Sequence, residues 1–311
     1  MNNHILTIII MINYLIAGCS NNRGNAITHS NKPDIRSIEI FMNDSTVWEL
    51  AKAVDREKLP KIRKLLTENP KLVDYQDPYY GLTLLMRAVK TEKYRSAQEL
   101  LKLGANSNIM SDIGVTALSF AIDYSWYDNN ANTDPKFVKL LLEYGANPNT
   151  ICYESTITAV KGKVERWVSP LIQSVSQGYE KAKLLLEYGA DIKYKTDLGE
   201  TAASRALLME DVDVAYLLIV EKKSDISEPF YFYSLGNDSI EWAKPHYPVD
   251  LLLDWVFELN SLEYQKKQEI IKEFSRQGIN YRDRKNNISD ITLRKIKYMY
   301  PNDWEEYVKK Y

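Results

Sequence analysis

The sequence predicts an all-α repeat solenoid, and three observations predict it. LLLEYGAN at residues 140–147 returns as LLLEYGAD at residues 184–191. Gly81-Leu82-Thr83, Gly114-Val115-Thr116 and Gly199-Glu200-Thr201 share one pattern, the first two glycines 33 positions apart. Seven residues after each of these glycines stands an alanine: Ala88, Ala121 and Ala206. Self-similarity at a fixed period marks helical pairs that cannot exclude water singly and do so by stacking.

In chain order, the first segment is an apolar run from Ile5 to Ile16. It is shorter than the roughly 20 residues of a spanning helix and suits the h-region of a secretory signal, a buried strand being the alternative. Leu15-Ile16-Ala17-Gly18-Cys19 resembles a bacterial lipobox, although no Lys or Arg precedes it. The resemblance implies a signal peptide over 1–18 and a lipoprotein of the cell envelope, lipidated at Cys19 with acyl chains such as palmitate. Ser20 and Asn21 follow the cysteine without an aspartate, which by analogy points to the outer membrane. Each buried methylene contributes about 0.8 kcal/mol, so two or three chains anchor durably. Residues 19–43 begin rich in Asn and Ser and read as a tether, with Ile35 to Phe41 apolar enough to dock on the first unit.

The first unit is degenerate: Thr46 to Ala51 as inner helix, Leu59 to Leu66 as outer helix, then Glu68-Asn69-Pro70, with Trp48 and Leu65-Leu66 as core. Later units place Leu100-Leu101, Leu141-Leu142, Leu184-Leu185-Leu186 and Leu217-Leu218 before a helix stop. Three stops read Gly104-Ala105-Asn106-Ser107-Asn108, Gly145-Ala146-Asn147-Pro148-Asn149 and Gly189-Ala190-Asp191-Ile192, each glycine closing a helix in the left-handed conformation. In the fourth unit Ser169 caps the inner helix and Pro170 suits its first position.

Over residues 44–227 these motifs resemble ankyrin repeats, about five of them. The resemblance implies an ankyrin stack, helix-turn-helix units joined by β-hairpins. The family's histidine after Thr-Pro-Leu is replaced by Met86, Ser119, Ile172 and Ser204, which removes a hydrogen bond that ties neighbouring units.

Two insertions interrupt the period. Residues 124–135, YSWYDNNANTDP, separate inner from outer helix in the third unit, with Asp134 and Pro135 restarting the latter as cap and first residue. Residues 150–168 are a surplus between the third and fourth units, where Thr156 to Val160, Lys161-Gly162-Lys163 and Val164 to Val168 read as an elongated hairpin. Past residue 228 the match fades. A helix over Pro248 to Leu259, a stop at Gly278-Ile279-Asn280 and helical pieces at Ile291 to Tyr300 and Trp304 to Tyr311 form a divergent terminal unit and helical cap over 228–311. Trp242, Trp255 and Trp304 are expected in that core.

Function is narrowed by charge and by chemistry. Forty Lys plus Arg against 42 Asp plus Glu give a formal charge of −2, too balanced to grip nucleic acid. No HExxH, GxSxG, GxGxxG, P-loop or paired CxxC pattern occurs, so no enzyme, cofactor, metal or small-molecule substrate is indicated. A dyad of Cys152 and His246 is conceivable, but a small apolar filler is the plainer role for Cys152. The expectation is a membrane-anchored module that binds a protein partner, a class that includes immunity and inhibitor proteins. An envelope enzyme or a structural spacer on the same scaffold is the alternative.

By the geometry of the resembled family, the partner-binding tips are Tyr79, Tyr80 and Leu82, then Asp112, Ile113 and Val115, then Arg166 and Trp167, then Leu198 and Glu200. Lys90, Asp123, Tyr124 and Ser176 continue along the inner helices. Trp126 and Tyr127 in the first insertion join them, because aromatic side chains in a polar loop favour a partner.

Overall fold

The computed structural model describes residues 32–123, 134–153, 167–231, 233–236, 239–242 and 245–310. The segment expected to be a signal peptide, Cys19 and most of both insertions lie outside them.

Five helix pairs follow one another: α1 (Ser45–Asp55) with α2 (Leu59–Glu68), α3 (Leu84–Lys90) with α4 (Tyr94–Lys102), α5 (Ala117–Ile122) with α6 (Lys136–Glu143), α7 (Pro170–Ser174) with α8 (Tyr179–Glu187), and α9 (Ala202–Leu208) with α10 (Val212–Tyr216). Each inner helix starts under a side-chain cap, because its first N–H groups have no partner within the helix. Asp44, Thr83, Thr116, Ser169 and Thr201 supply those caps. The inner helices of the second to fifth units are buried nearly all round, α3 at every residue, while α1 at the end of the stack buries one face. Ala88 and Ala206 are 0% exposed and Ser174 fills the same position in the fourth unit. Outer helices bury one stripe, as Leu100-Leu101 and Leu140 to Leu142 do.

The turn from inner to outer helix is left-handed. Gly178 has φ +114°, but Glu57, Glu92 and Glu210 adopt φ of +49°, +58° and +56° at the matching position, a conformation costing a non-glycine residue roughly 1–2 kcal/mol. At Glu57 the side chain offsets this: its Oε1 accepts from Arg95 N at 2.9 Å, capping the next unit's outer helix α4, which has no cap of its own.

Neighbouring units are clasped at the outer-helix stops. Asn108 donates through Nδ2 to the Gly145 carbonyl (2.9 Å) and accepts at Oδ1 from Asn147 N (2.7 Å). One unit later Asn149 does the same to the Gly189 carbonyl (3.0 Å) and Asp191 N (2.7 Å). Asp74, which can only accept, keeps half the device by receiving Asn106 N at 2.8 Å. The stop motifs therefore both end one helix pair and hold the next.

Some elements differ from expectation. Trp48 is half-buried with Lys52 over its ring, and Val47, Leu50 and Ala51 form the core in its place. Helix α6 begins at Lys136, one residue late, with Asp134 Oδ1 accepting from Lys136 N. The second insertion pairs from its base, β1 (Cys152–Tyr153) with β2 (Trp167–Val168) in the register Cys152↔Val168, so strand pairing starts ahead of Thr156. A further antiparallel hairpin, β3 (Tyr233–Gly236) with β4 (Ser239–Trp242), joins the fifth unit to the terminal one.

The helix expected over 248–259 breaks after α11 (Pro248–Leu251) and a 3-10 turn (Leu252–Asp254). Burial of Trp255 explains the break. Its indole N–H donates to the Leu207 carbonyl at 3.0 Å and its own carbonyl accepts from Lys267 Nζ at 2.7 Å, and that carbonyl is free only where the backbone is extended. Helices α12 (Leu262–Arg276), α13 (Asp290–Met299) and α14 (Trp304–Lys310) complete the end of the stack. A small second core of Val256, Ile296 and Tyr307 closes it, with Trp304 packed alongside.

Candidate protein-interaction surface

The tips of the hairpins between units form one edge of the stack. Gly81 and Gly114 turn there with φ of +67° and +75°. They also leave room: a Cβ on Gly81 would stand 2.8 Å from Asp112 N, and one on Gly114 2.9 Å from the Tyr153 Cβ. The neighbouring tip fills that room, with Asp112 against Gly81 and the Tyr153 and Trp167 side chains against Gly114, and main-chain bonds join the tips. Asp112 N donates to the Tyr80 carbonyl (2.9 Å), Tyr153 N to the Gly114 carbonyl (2.8 Å) and Tyr231 N to the Leu198 carbonyl (2.9 Å). Tyr194 adds a hydroxyl bond to the Trp167 carbonyl at 3.2 Å. Consecutive tips are thus stitched edge to edge.

This edge carries exposed apolar side chains. Ile113 is 36% exposed, Met110 38% and Trp167 40%, and Trp167 meets Tyr153 edge-on with ring centres 5.9 Å apart. Asp112 is exposed, while Tyr79, Val115 and Leu198 are half-buried along the same strip. Tyr80 is covered by the chain itself: its hydroxyl donates to the Pro33 carbonyl (2.8 Å), and Lys32 Nζ reaches the Tyr79 carbonyl (3.2 Å) and lies over the Tyr80 ring. Met110 was missed because the pattern marks only the one or two residues next to the tip glycine, and Met110 stands four residues ahead of Gly114.

Three expected contact residues turn inward. Leu82, Glu200 and Lys90 are 1%, 3% and 4% exposed. Leu82 and Glu200 follow the tip glycine, at the position Val168 also fills, where the chain re-enters the core. Glu200 is tolerated there because Arg205 meets it with two bonds of 3.0 Å. Lys90 donates to Asp123 Oδ2 at 2.9 Å; burial pushes its ammonium pKa down and Asp123 opposes the shift. Asp123 and Ser176 are partly exposed on the inner-helix face. Tyr124, Trp126, Tyr127 and Arg166 lie outside the described residues.

Sequence reasoning also passed over Lys181. It is fully buried and donates to the Ala121 and Ile122 carbonyls at 3.1 and 2.8 Å, capping α5 where the first insertion cuts that helix short. Burial draws its pKa down to about 8, with Asp123 opposing and Lys90 reinforcing. The signal was positional: Ser96, also third in its outer helix, donates to the Val54 carbonyl of the preceding unit at 2.7 Å. Nearby, Gln173 and Gln177 hold buried carboxamide oxygens that have no hydrogen-bond partner among the described residues.

Among the described residues no group of three or more His, Cys, Asp and Glu is placed to hold a metal. Cys152 is buried beneath the hairpin, 3.7 Å from Thr116 Oγ1, and burial raises its thiol pKa, the reverse of what a nucleophile needs. His246 bridges Phe230 through backbone at the last hairpin.

A family model for ankyrin repeats, in three copies, matches residues 50–152. Over 154 residues, half of this chain, the sequence is 30% identical to ankyrin repeat protein FPV024 of Fowlpox virus (strain NVSL). Over 96 residues, 30% of the chain, it is 35% identical to ankyrin repeat protein L86 of Acanthamoeba polyphaga mimivirus. The matches span 23% and 16% of those relatives' lengths. The fold is an ankyrin stack.

Proposed function

We propose that this chain binds a protein partner along its hairpin edge and inner-helix face, and that Cys19 tethers it to a membrane of the cell envelope. The observation that carries the first part is the strip of Met110, Ile113 and Trp167, exposed apolar side chains on tips fixed to one another through backbone. Large aromatics on a rigid edge are the residues that dominate interface energetics, and a stack of this length can offer the roughly 800 Å² per partner of a standard interface. An immunity or inhibitor protein is the case in which the bound partner loses its own activity.

Crosslinking in the native cell, followed by mass spectrometry, tests the binding. A stoichiometric partner weakened about tenfold or more by Trp167→Ala is the expected result; retention unchanged by Trp167→Ala and Ile113→Ala together would remove this edge from consideration. The tether rests on the apolar run Ile5 to Ile16 and the lipobox pattern ending at Cys19. Cys19→Ser is expected to move the protein into the soluble fraction and to abolish labelling by an alkyne fatty acid. Membrane retention of Cys19→Ser would sink the anchor.

A further inference from the structure

We infer that the junction between the fifth and the terminal unit holds a vacant carboxamide clasp, which takes an asparagine or glutamine side chain from a partner protein. At two earlier junctions a carboxamide of this chain fills the corresponding place. Asn108 and Asn149 each bond a carbonyl at the glycine of the next stop and an N–H two residues on, at 2.7 to 3.0 Å. In the fifth unit the stop is Lys223-Ser224-Asp225-Ile226, with Lys223 in the left-handed glycine position at φ +57°. Four residues on, where Asn108 and Asn149 stand, is Ser227.

Serine is too short to reach across, and its hydroxyl turns back to Asp225 Oδ1 at 2.7 Å. The terminal unit nonetheless presents the same receiving groups. Gly278 repeats the left-handed stop at φ +81°. The Gly278 carbonyl and the Asn280 N–H, counterparts of the Gly145 carbonyl and Asn147 N–H, carry no hydrogen bond among the described residues. A cleft of about 530 Å³ opens between the two loops, lined by Ser227, Gly278 and Asn280. One acceptor and one donor two residues apart, the pair satisfied elsewhere by a primary carboxamide, select a ligand that offers both.

The remaining walls add a second requirement. Ile226, Val249 and Ile279 supply apolar surface, and Tyr247 stands beside them under the Arg284 guanidinium, 5.3 Å from the ring centre. An aliphatic side chain adjacent to the carboxamide fits that floor, so the recognised element is an apolar residue next to Asn or Gln on the partner. This rests on the reading of the chain as a protein-interaction module and adds a second contact point, distant in sequence from Trp167.

Amide-resolved NMR of the full chain titrated with propionamide, and separately with propionate, tests the clasp without a partner. Propionamide is expected to shift the Gly278 to Asn280 resonances at millimolar concentrations, and propionate at least tenfold more weakly, since a carboxylate cannot donate. Ser227→Asn refills the clasp; it should abolish the propionamide shifts and raise the melting temperature by roughly 2–4 °C. Ser227→Ala, which leaves the cleft open, should bind as the parent does. Equal shifts from both probes, shifts that survive Ser227→Asn, or an Asn280 N–H already protected from exchange in the free protein would overturn the inference. A crosslinked partner lost on Trp167→Ala but indifferent to Ser227→Asn would leave the interaction module standing while this clasp falls.

Discussion

The second-to-fourth units and the fifth-to-terminal junction solve the same problem in opposite directions. In the former, an asparagine of the earlier unit reaches forward to the next stop. In the latter, Gln277 of the terminal unit reaches back, donating from Nε2 to the Ser224 carbonyl (3.0 Å) and accepting at Oε1 from Ile226 N (3.2 Å). Trp255 and Lys267 then continue the tie through the Leu207 carbonyl. Carbonyls and N–H groups at a helix end need partners, but the residue that supplies them differs, and at the last junction Gln277 serves the Ser224 carbonyl and the Ile226 N–H while the Gly278 carbonyl and the Asn280 N–H stay open among the described residues. Sequence similarity therefore fades past residue 228 while the stacking continues.

The largest test of this comparison is Trp255→Ala. Removing a fully buried indole costs about 3–5 kcal/mol, and the loss should fall on the terminal unit, giving a urea transition for residues 228–311 that separates from the rest. A single unshifted transition would mean that Trp255 does not couple the two regions.

Next is the third-to-fourth junction, where a buried cation joins the asparagine clasp. Lys181 has its folded pKa lowered to about 8, against about 10.4 for an ordinary lysine. Between those values the unfolded chain binds more protons than the folded one, so stability should rise with pH. From pH 8 to 9.5 the gain is up to about 2 kcal/mol, read as the urea midpoint, with Lys90 shifted in the same direction. Lys181→Met should flatten that slope; an equal slope in this variant would show that another group titrates.

The smallest effects compare the two clasps directly. Gln277→Ala, at a part-buried site, should destabilise by about 1–2 kcal/mol, and Asn149→Ala, at an exposed one, by about 0.5–1 kcal/mol, because water replaces its bonds more readily. Chemical denaturation of both variants gives the order, and the reverse order would contradict the burial-based account.

Much of the stack was legible in its residues because local backbone demands fix them narrowly. A left-handed helix stop favours Gly104 or Gly145, an inner-helix cap favours Thr83 or Ser169, and close helix contact favours Ala88. The ties made by Lys181, Trp255 and Gln277 were not legible. Each spans roughly fifty residues or more and needs only a long donor arriving at a carbonyl, which no spacing encodes. The candidate edge was half legible: tip position could be read from glycine spacing, but side-chain direction could not. Leu82 and Glu200 therefore sat in the expected set although both point into the core, and the clue for Glu200 was its match to Leu82 and Val168 with Arg205 five residues on.

The stitching of hairpin tips by main-chain atoms separates shape from identity. Because Asp112, Tyr153 and Tyr231 use their backbone N–H groups to join neighbours, replacement of the outward side chains at Met110, Ile113 or Trp167 leaves the outline of the edge intact. Such an edge can drift toward a new partner one residue at a time without refolding, and lineages carrying it can diverge in what they recognise long before they diverge in architecture.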